Sequence, residues 1–372
     1  MKQTNTIKTR NSSIELLKII GLVLIVLSHS VPYYGDKELI SFIDLSLATT
    51  NISQFILILF RNIGQIGNLI FVMCSAYFLL DKKKTNVKKI LYIISDCFII
   101  SVLFLLVYLI SGYNISITEC IKQVFPITFE NNWFVGCYIM LYIIHPFLNK
   151  IIESVKKETL LRINIFFIIA YCCIRMIYFK AYYYNQLIGF IVIYFIVAYN
   201  KLYLQNFTRN NKLNKKILLF NIFAFVGLLI VTNFLGLKIK FLSDTMLHWC
   251  SIMNIFGIMI GISLLNLFST KNFENKIINY ISSLSLLFYI IHENYLFKNY
   301  TKPLFYQYVF PLGYNYLLWV LIEAILLIIF GLVLSIIYKQ TLQKLIYKIV
   351  DKMFDILYNI YYKVEKNLLK LT

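Results

Sequence analysis

The chain has 372 residues, of which 60% are hydrophobic and only 14% charged, with a mean hydropathy of +0.73. Soluble domains carry about a quarter charged residues, so the composition excludes a soluble globular enzyme and fits an all-α integral membrane protein. The net charge of +19 does not point to nucleic acid, because Lys and Arg cluster between apolar runs and no nucleic-acid-binding signature accompanies them.

In chain order, ten apolar stretches predict transmembrane helices near 14–34, 60–80, 90–112, 133–149, 163–179, 185–204, 217–236, 247–268, 277–297 and 315–338. Each approaches the roughly twenty residues that cross ~30 Å of hydrocarbon. The span starting at Trp133 is short, and Asn51 to Gly67 reads as a partial or re-entrant piece. The first span has no small-residue cleavage motif and is expected to stay uncleaved. Basic residues concentrate in alternate connections: Lys82 to Lys89, Lys150 to Arg162, Lys201 to Lys216, and the lysines after Tyr338. The positive-inside rule then places both termini in the cytoplasm. After Tyr338, apolar residues from Leu342 to Leu368 recur at helical spacing between lysines. They predict an amphipathic helix on the inner membrane face, drawn to anionic lipid. Two parts follow: a membrane-embedded domain, 1–338, and a basic tail, 339–372. The seven Cys contain no C-x-x-C pair and predict neither disulfides nor a metal site.

Ionisable groups inside spans are costly and mark candidate sites. Glu15, Lys18 and His29 punctuate the first span. Lys18 and His29 are eleven residues apart, so they share nearly one helix face, roughly 16 Å apart along the axis. Plainer readings exist for each. Lys18 can snorkel to the interface, Glu15 can simply pair with it at i, i+3, and His29 can be a packed, hydrogen-bonded histidine. Trp133 suits the aromatic belt and His292-Glu293 a wet span end. His145 and His248 lie at or near span ends and read as structural. Arg175 and Glu323, within spans, are candidates for a buried pair.

Glu15-Leu16-Leu17-Lys18, ten residues, then His29 resembles the signature of the acyltransferase 3 family, with Lys18 where relatives usually carry Arg. The Ile66–Leu80 segment containing Ser75-Ala76-Tyr77, the Asn132-Trp133-Phe134 run closing in Pro146-Phe147-Leu148-Asn149, and the late Ser285, Tyr289, His292 element resemble further family segments. The resemblance spans Ser13 to about Tyr338. It implies a membrane-bound O-acyltransferase of the bacterial plasma membrane. Such an enzyme would move an acyl group, expected to be acetyl, from cytoplasmic acyl-CoA to a hydroxyl of a surface polysaccharide or its lipid-linked precursor. Acyl-CoA is then a substrate, and no cofactor is permanently bound. His29, Lys18 and Glu15 become the expected catalytic group. His29 would serve as general base or acyl relay. Lys18, with Lys88 and Lys89, would hold the CoA phosphates as point charges. Trp133, Ser75, His292 and Glu293 become acceptor-binding candidates.

A glycan flippase or polymerase is the rival reading, since many apolar spans suit it too. Transporters more often show internal repeats and Gly/Pro-broken helices. A sensor signalling through the tail is a third reading; the tail is short and carries no docking module. The chain has no P-loop, dinucleotide fingerprint or H-E-x-x-H motif.

Overall fold

The computed structural model describes residues 11–32, 47–129, 131–174, 185–247, 251–312 and 315–368. All regular elements among them are helical. Seven helices are long and apolar enough to cross a membrane: α1 (Ser12–Ser30), α2 (Ile52–Leu79), α3 (Val87–Ile110), α5 (Trp133–Ser154), α7 (Gln186–Tyr203), α8 (Asn211–Gly236) and α13 (Tyr316–Thr341). Between them lie α4 (Ile117–Val124), α6 (Lys157–Phe167), α9 (Ile255–Ser269), α10 (Lys276–Ser283), α11 (Ser285–His292) and α12 (Lys302–Val309). The helix α14 (Gln343–Leu368) follows α13. The chain is therefore a multi-pass helical membrane protein.

Asparagine starts many of these helices. Asn11, Asn51, Asn86, Asn185, Asn210, Asn254, Asn275 and Asn315 each accept a first-turn backbone N–H through the side chain. Helix N-termini leave donors without intrahelical partners, and Asn is among the best residues to satisfy them. The outer faces of α3, α8 and α13 expose Leu106, Val107, Phe220, Phe223, Ile325 and Ile329, as lipid-facing helices do. Inside, the side chains of Asn200, Asn214 and Asn266 bond one another between α7, α8 and α9, a polar contact of the kind that ties membrane helices together.

Seven of the ten expected spans correspond to these long helices. The Asn51–Gly67 stretch belongs to one continuous helix, α2, and is not a separate re-entrant piece. The other three expected spans are shorter or divided. In 163–179, α6 gives way to a π-helical segment, Ile168–Cys173; from Arg175 on it lies outside the described residues, as does His248. In 247–268 the helix is only α9, 15 residues long. In 277–297 the helix breaks at Leu284 into α10 and α11. The Ser282 hydroxyl donates to Glu15 and the Ser283 hydroxyl to the Tyr280 carbonyl, and hydroxyls that compete for helix carbonyls bend helices.

Pro146 sits inside α5 and cannot donate to the Tyr142 carbonyl. His145 Nδ1–H donates there instead, at 2.6 Å, with the Thr85 hydroxyl at 3.3 Å. A free carbonyl at this depth is costly, so His145 has the structural role expected of it. Glu323 on α13 lies 2.5 Å from the Tyr306 hydroxyl.

Candidate active site

Helix α1 carries one site at each end, and α2 fixes its position. Gly21 and Gly67 let the two backbones approach closely: a Cβ on Gly67 would lie 2.4 Å from the Gly21 carbonyl oxygen. Small residues serve this purpose in membrane helix pairs. At the start of α1, the Ser12 hydroxyl accepts from Asn275 N–H at 2.7 Å and donates to Asn279 Oδ1 at 2.9 Å. This brings Glu15 beside Ser282.

The last-turn carbonyls of α1 have no intrahelical partners. Here cationic and hydroxyl side chains meet them, as suits a helix C-terminus. Arg61 donates to Ser28 O at 3.1 Å. Lys302 donates to His29 O and to Val31 O, the latter at 3.3 Å, and the Tyr306 hydroxyl donates to Ser30 O. α2 and α12 thus clamp the turn that bears His29.

His29 meets the end of α11. Its Nδ1 lies 2.8 Å from Glu293 Oε1 and 3.1 Å from His292 Nε2. His292 donates its own Nδ1–H to the Phe288 carbonyl at 2.9 Å, so its Nε2 carries the lone pair. His29 Nδ1 must therefore be the donor to both neighbours, which leaves His29 Nε2 as the basic nitrogen. A carboxylate holding an imidazole in one tautomer is the arrangement that makes a general base. Glu293 also accepts from Lys298 at 3.2 Å, so the carboxylate is not an unpaired charge.

These groups line a polar cavity of about 450 Å³ with Arg61, Gln65, Asn68, Trp133, Asn299 and Lys302. The Asn68 Oδ1 is buried with no hydrogen-bond partner, and its Nδ2 donates to Gln65 Oε1 at 3.1 Å. His29, His292 and Glu293 each offer a ligand atom within 4.8 Å of the others, a set that suits Zn²⁺ in kind. Their direct hydrogen bonds and the Lys298 contact satisfy the same atoms without an ion.

The second cavity, about 400 Å³, surrounds Lys18. Lys18 Nζ lies 3.3 Å from Glu15 Oε2, and the Ser282 hydroxyl donates to that same oxygen. Lys89 lines the cavity and donates to the Tyr138 hydroxyl at 3.2 Å. Ser75 and Ser285 line it too, and the Ser285 hydroxyl is buried with no protein partner.

The expected site residues therefore separate into two groups. His29, His292, Glu293 and Trp133 share one cavity; Lys18, Lys89 and Ser75 share the other. Lys88 lines neither cavity and pairs with Asp351 and Asp355 of α14. Arg61, Lys298 and Lys302 were not expected at the site. Lys298 and Lys302 follow Glu293 within nine residues, close enough for the next helical turns to carry them back.

Aromatic rings line the Lys18 cavity and reach toward His292. Phe134 packs edge-on to Phe71 at 6.3 Å and lies 5.2 Å from Tyr289. Tyr289 meets the His292 ring edge-on at 5.5 Å. Trp133, next to Phe134 in sequence, faces the His29 cavity.

A family model described as an acyltransferase domain matches residues 11–339. No curated protein and no solved structure matches the chain. The match covers every residue of both cavities except Gln343 and Tyr347 at the rim of the Lys18 cavity. On that match, the chain belongs to the acyltransferase 3 family.

Proposed function

We propose that this membrane acyltransferase takes an acyl group, acetyl in the first instance, from acyl-CoA at the cytoplasmic face. It delivers the group to a hydroxyl of a surface polysaccharide or its lipid-linked precursor in the bacterial plasma membrane. The Glu293–His29 contact, at 2.8 Å in a polar cavity, is the observation that carries this reading. Lys18 and Lys89 sit in the second cavity and supply the cations that CoA phosphates require. The positive-inside bias of the sequence supports a cytoplasmic position for that end of α1.

The chemistry then runs as one balanced exchange. His29 Nε2 takes the proton of the acceptor hydroxyl as its oxygen attacks the thioester carbonyl. The tetrahedral intermediate collapses, the C–S bond breaks, and the departing CoA thiolate recovers the proton from the imidazolium. Glu293 fixes the tautomer of the neutral ring and stabilises the imidazolium that forms from it. Arg61 and Lys302, beside the reacting centre, favour the oxyanion by their charge. Trp133, which lines the same cavity, offers a ring for sugar stacking.

The test is compositional. Deleting the gene should remove O-acetyl signals from the NMR spectrum of the surface glycan. Wild type should restore them and His29→Ala should not. Export that stops with acetylation per repeat unchanged would favour a transporter instead. Full restoration by His29→Ala would sink the catalytic assignment.

A further inference from the structure

α14 begins beyond the residues that the family model matches, yet it forms part of the Lys18 cavity. Gln343 and Tyr347 line that cavity beside Lys18 and Lys89. Both side chains are held by Asp96 of α3, a buried carboxylate. Asp96 accepts from Tyr347 at 2.8 Å and Gln343 at 3.1 Å on one oxygen, and from Tyr338 at 2.9 Å on the other. A carboxylate within an apolar helix needs such partners.

The contacts continue along both helices. Tyr92 stacks on Tyr347 with centroids 4.0 Å apart and planes 11° from parallel. The Tyr92 hydroxyl donates to Asp351 at 2.6 Å. Lys88 pairs with Asp351 at 3.3 Å and with Asp355 at 3.1 Å. The Tyr92 hydrogen bond is the largest cause holding the Asp351 carboxyl below the ordinary carboxylate range. Residues 88, 92 and 96 are one helical turn apart on one face of α3; 343, 347, 351 and 355 are likewise on α14. As one number rises its partner's falls, so the helices meet antiparallel in a ladder of fixed register.

We propose that α14 is a wall of the donor site, where Gln343 and Tyr347 contact the amide-bearing pantetheine arm of acyl-CoA and the Lys88–Tyr92–Asp96 ladder positions them. The inference rests on the assignment of the Lys18 cavity to the donor. It gives Lys88 a positioning role through the tail and leaves phosphate contact to Lys18 and Lys89. The Gln343 N–H groups and the Tyr347 proton are spent on Asp96 and on each other, which leaves the Gln343 Oε1 and a Tyr347 lone pair to accept from the amide N–H groups of the arm.

The test uses the full chain in nanodiscs, with acetyl-CoA as donor and purified surface glycan as acceptor. Lys88→Asp places three carboxylates together, and Asp351→Lys with Asp355→Lys places three cations together. Each change should lift α14 away and raise the donor KM and the Kd for CoA on the order of tenfold, as loss of positioning does. The acceptor KM should not move. Combining all three substitutions restores opposite charges across the ladder and should return donor KM toward wild type, which a general folding defect would not allow. Tyr347→Ala, with the ladder charges intact, should raise donor KM alone. Wild-type affinity for CoA in both reversal variants, or no rescue in the combined variant, overturns the role of α14. Failure of the wild-type protein itself to bind CoA or release its thiol overturns the donor assignment.

Discussion

Glu293 holds two partners with different duties: the His29 N–H at 2.8 Å and the Lys298 ammonium at 3.2 Å. A buried carboxylate is tolerable only when its charge is met, so Lys298 lets Glu293 stay ionised beside the imidazole. Glu293→Gln keeps the shape and removes the charge that steadies the imidazolium. We expect kcat to fall on the order of 10²–10⁴ with donor KM unchanged, the usual range for a disabled acid–base pair; steady-state thiol release measures it. The same assay answers the question raised by three ligand atoms within 4.8 Å. Dialysis against a chelator should leave the rate unchanged, and loss of activity restored by added Zn²⁺ would replace the proton-transfer role with metal coordination. The sequence marked His29 as a site because an imidazole inside an apolar run needs a reason. It did not place Glu293 against His29, since a glutamate at a wet span end looks the same. His29 and His292 are 263 positions apart, and helix packing alone brings them together.

Among the elements, α1 and α2 set the precision of the site. Gly67 faces the Gly21 carbonyl, and Gly64 faces Ser28, where an added Cβ would lie 2.2 Å from the serine Cβ. Neither contact involves the loose end of a long side chain, so the helices themselves must separate to admit a methyl group. Gly67→Ala should cost about 1–3 kcal/mol, the range for overpacking, and should slow transfer, because Arg61 on α2 holds the turn that bears His29. Gly227→Ala in α8 is the control: nothing lies within 4 Å of its added Cβ. It should leave the protein as stable or slightly more so, since Gly costs roughly 0.5–1 kcal/mol relative to Ala inside a helix. Thermal unfolding in nanodiscs compares the two. Helices such as α3 and α13 were legible because their apolar runs are long and uninterrupted. The division of 277–297 at Leu284 was not, because Ser282 and Ser283 act through Glu15 and the Tyr280 carbonyl, and neither contact shows in hydropathy. The glycines were equally silent: Gly67 and Gly227 look alike until a neighbouring helix is in place.

For the molecule as a whole, the feature that bears most on the proposed reaction is the aromatic cluster of Phe134 and Tyr289 that lines the Lys18 cavity on the side of His292. Lys18 and His29 are roughly 16 Å apart along α1; on the proposed donor site an acyl group held near Lys18 would move past Phe134 and Tyr289, which line that cavity, with Tyr289 against the His292 ring. Phe134 is nearly buried and packs against Phe71, Phe190 and Tyr289. Rings packed edge-on leave little space and exclude water, which would otherwise hydrolyse the thioester. Phe134→Leu keeps an apolar side chain of moderate size, limiting the cavity cost that alanine would impose, while opening the cluster. Two effects should follow. Acetyl-CoA should release thiol faster without acceptor, because water now reaches the carbonyl. Longer acyl groups such as butyryl should gain in kcat/KM relative to acetyl, because the ring no longer limits the passage. A thiol-release assay with and without glycan measures the first effect, and a competition between the two thioesters measures the second. A general loss of packing would lower all rates together without shifting the acyl preference. A variant with normal stability, tight coupling to the acceptor and unchanged acyl preference would show that the acyl group does not pass between these rings, and would confine the reaction to the side of the membrane on which CoA binds.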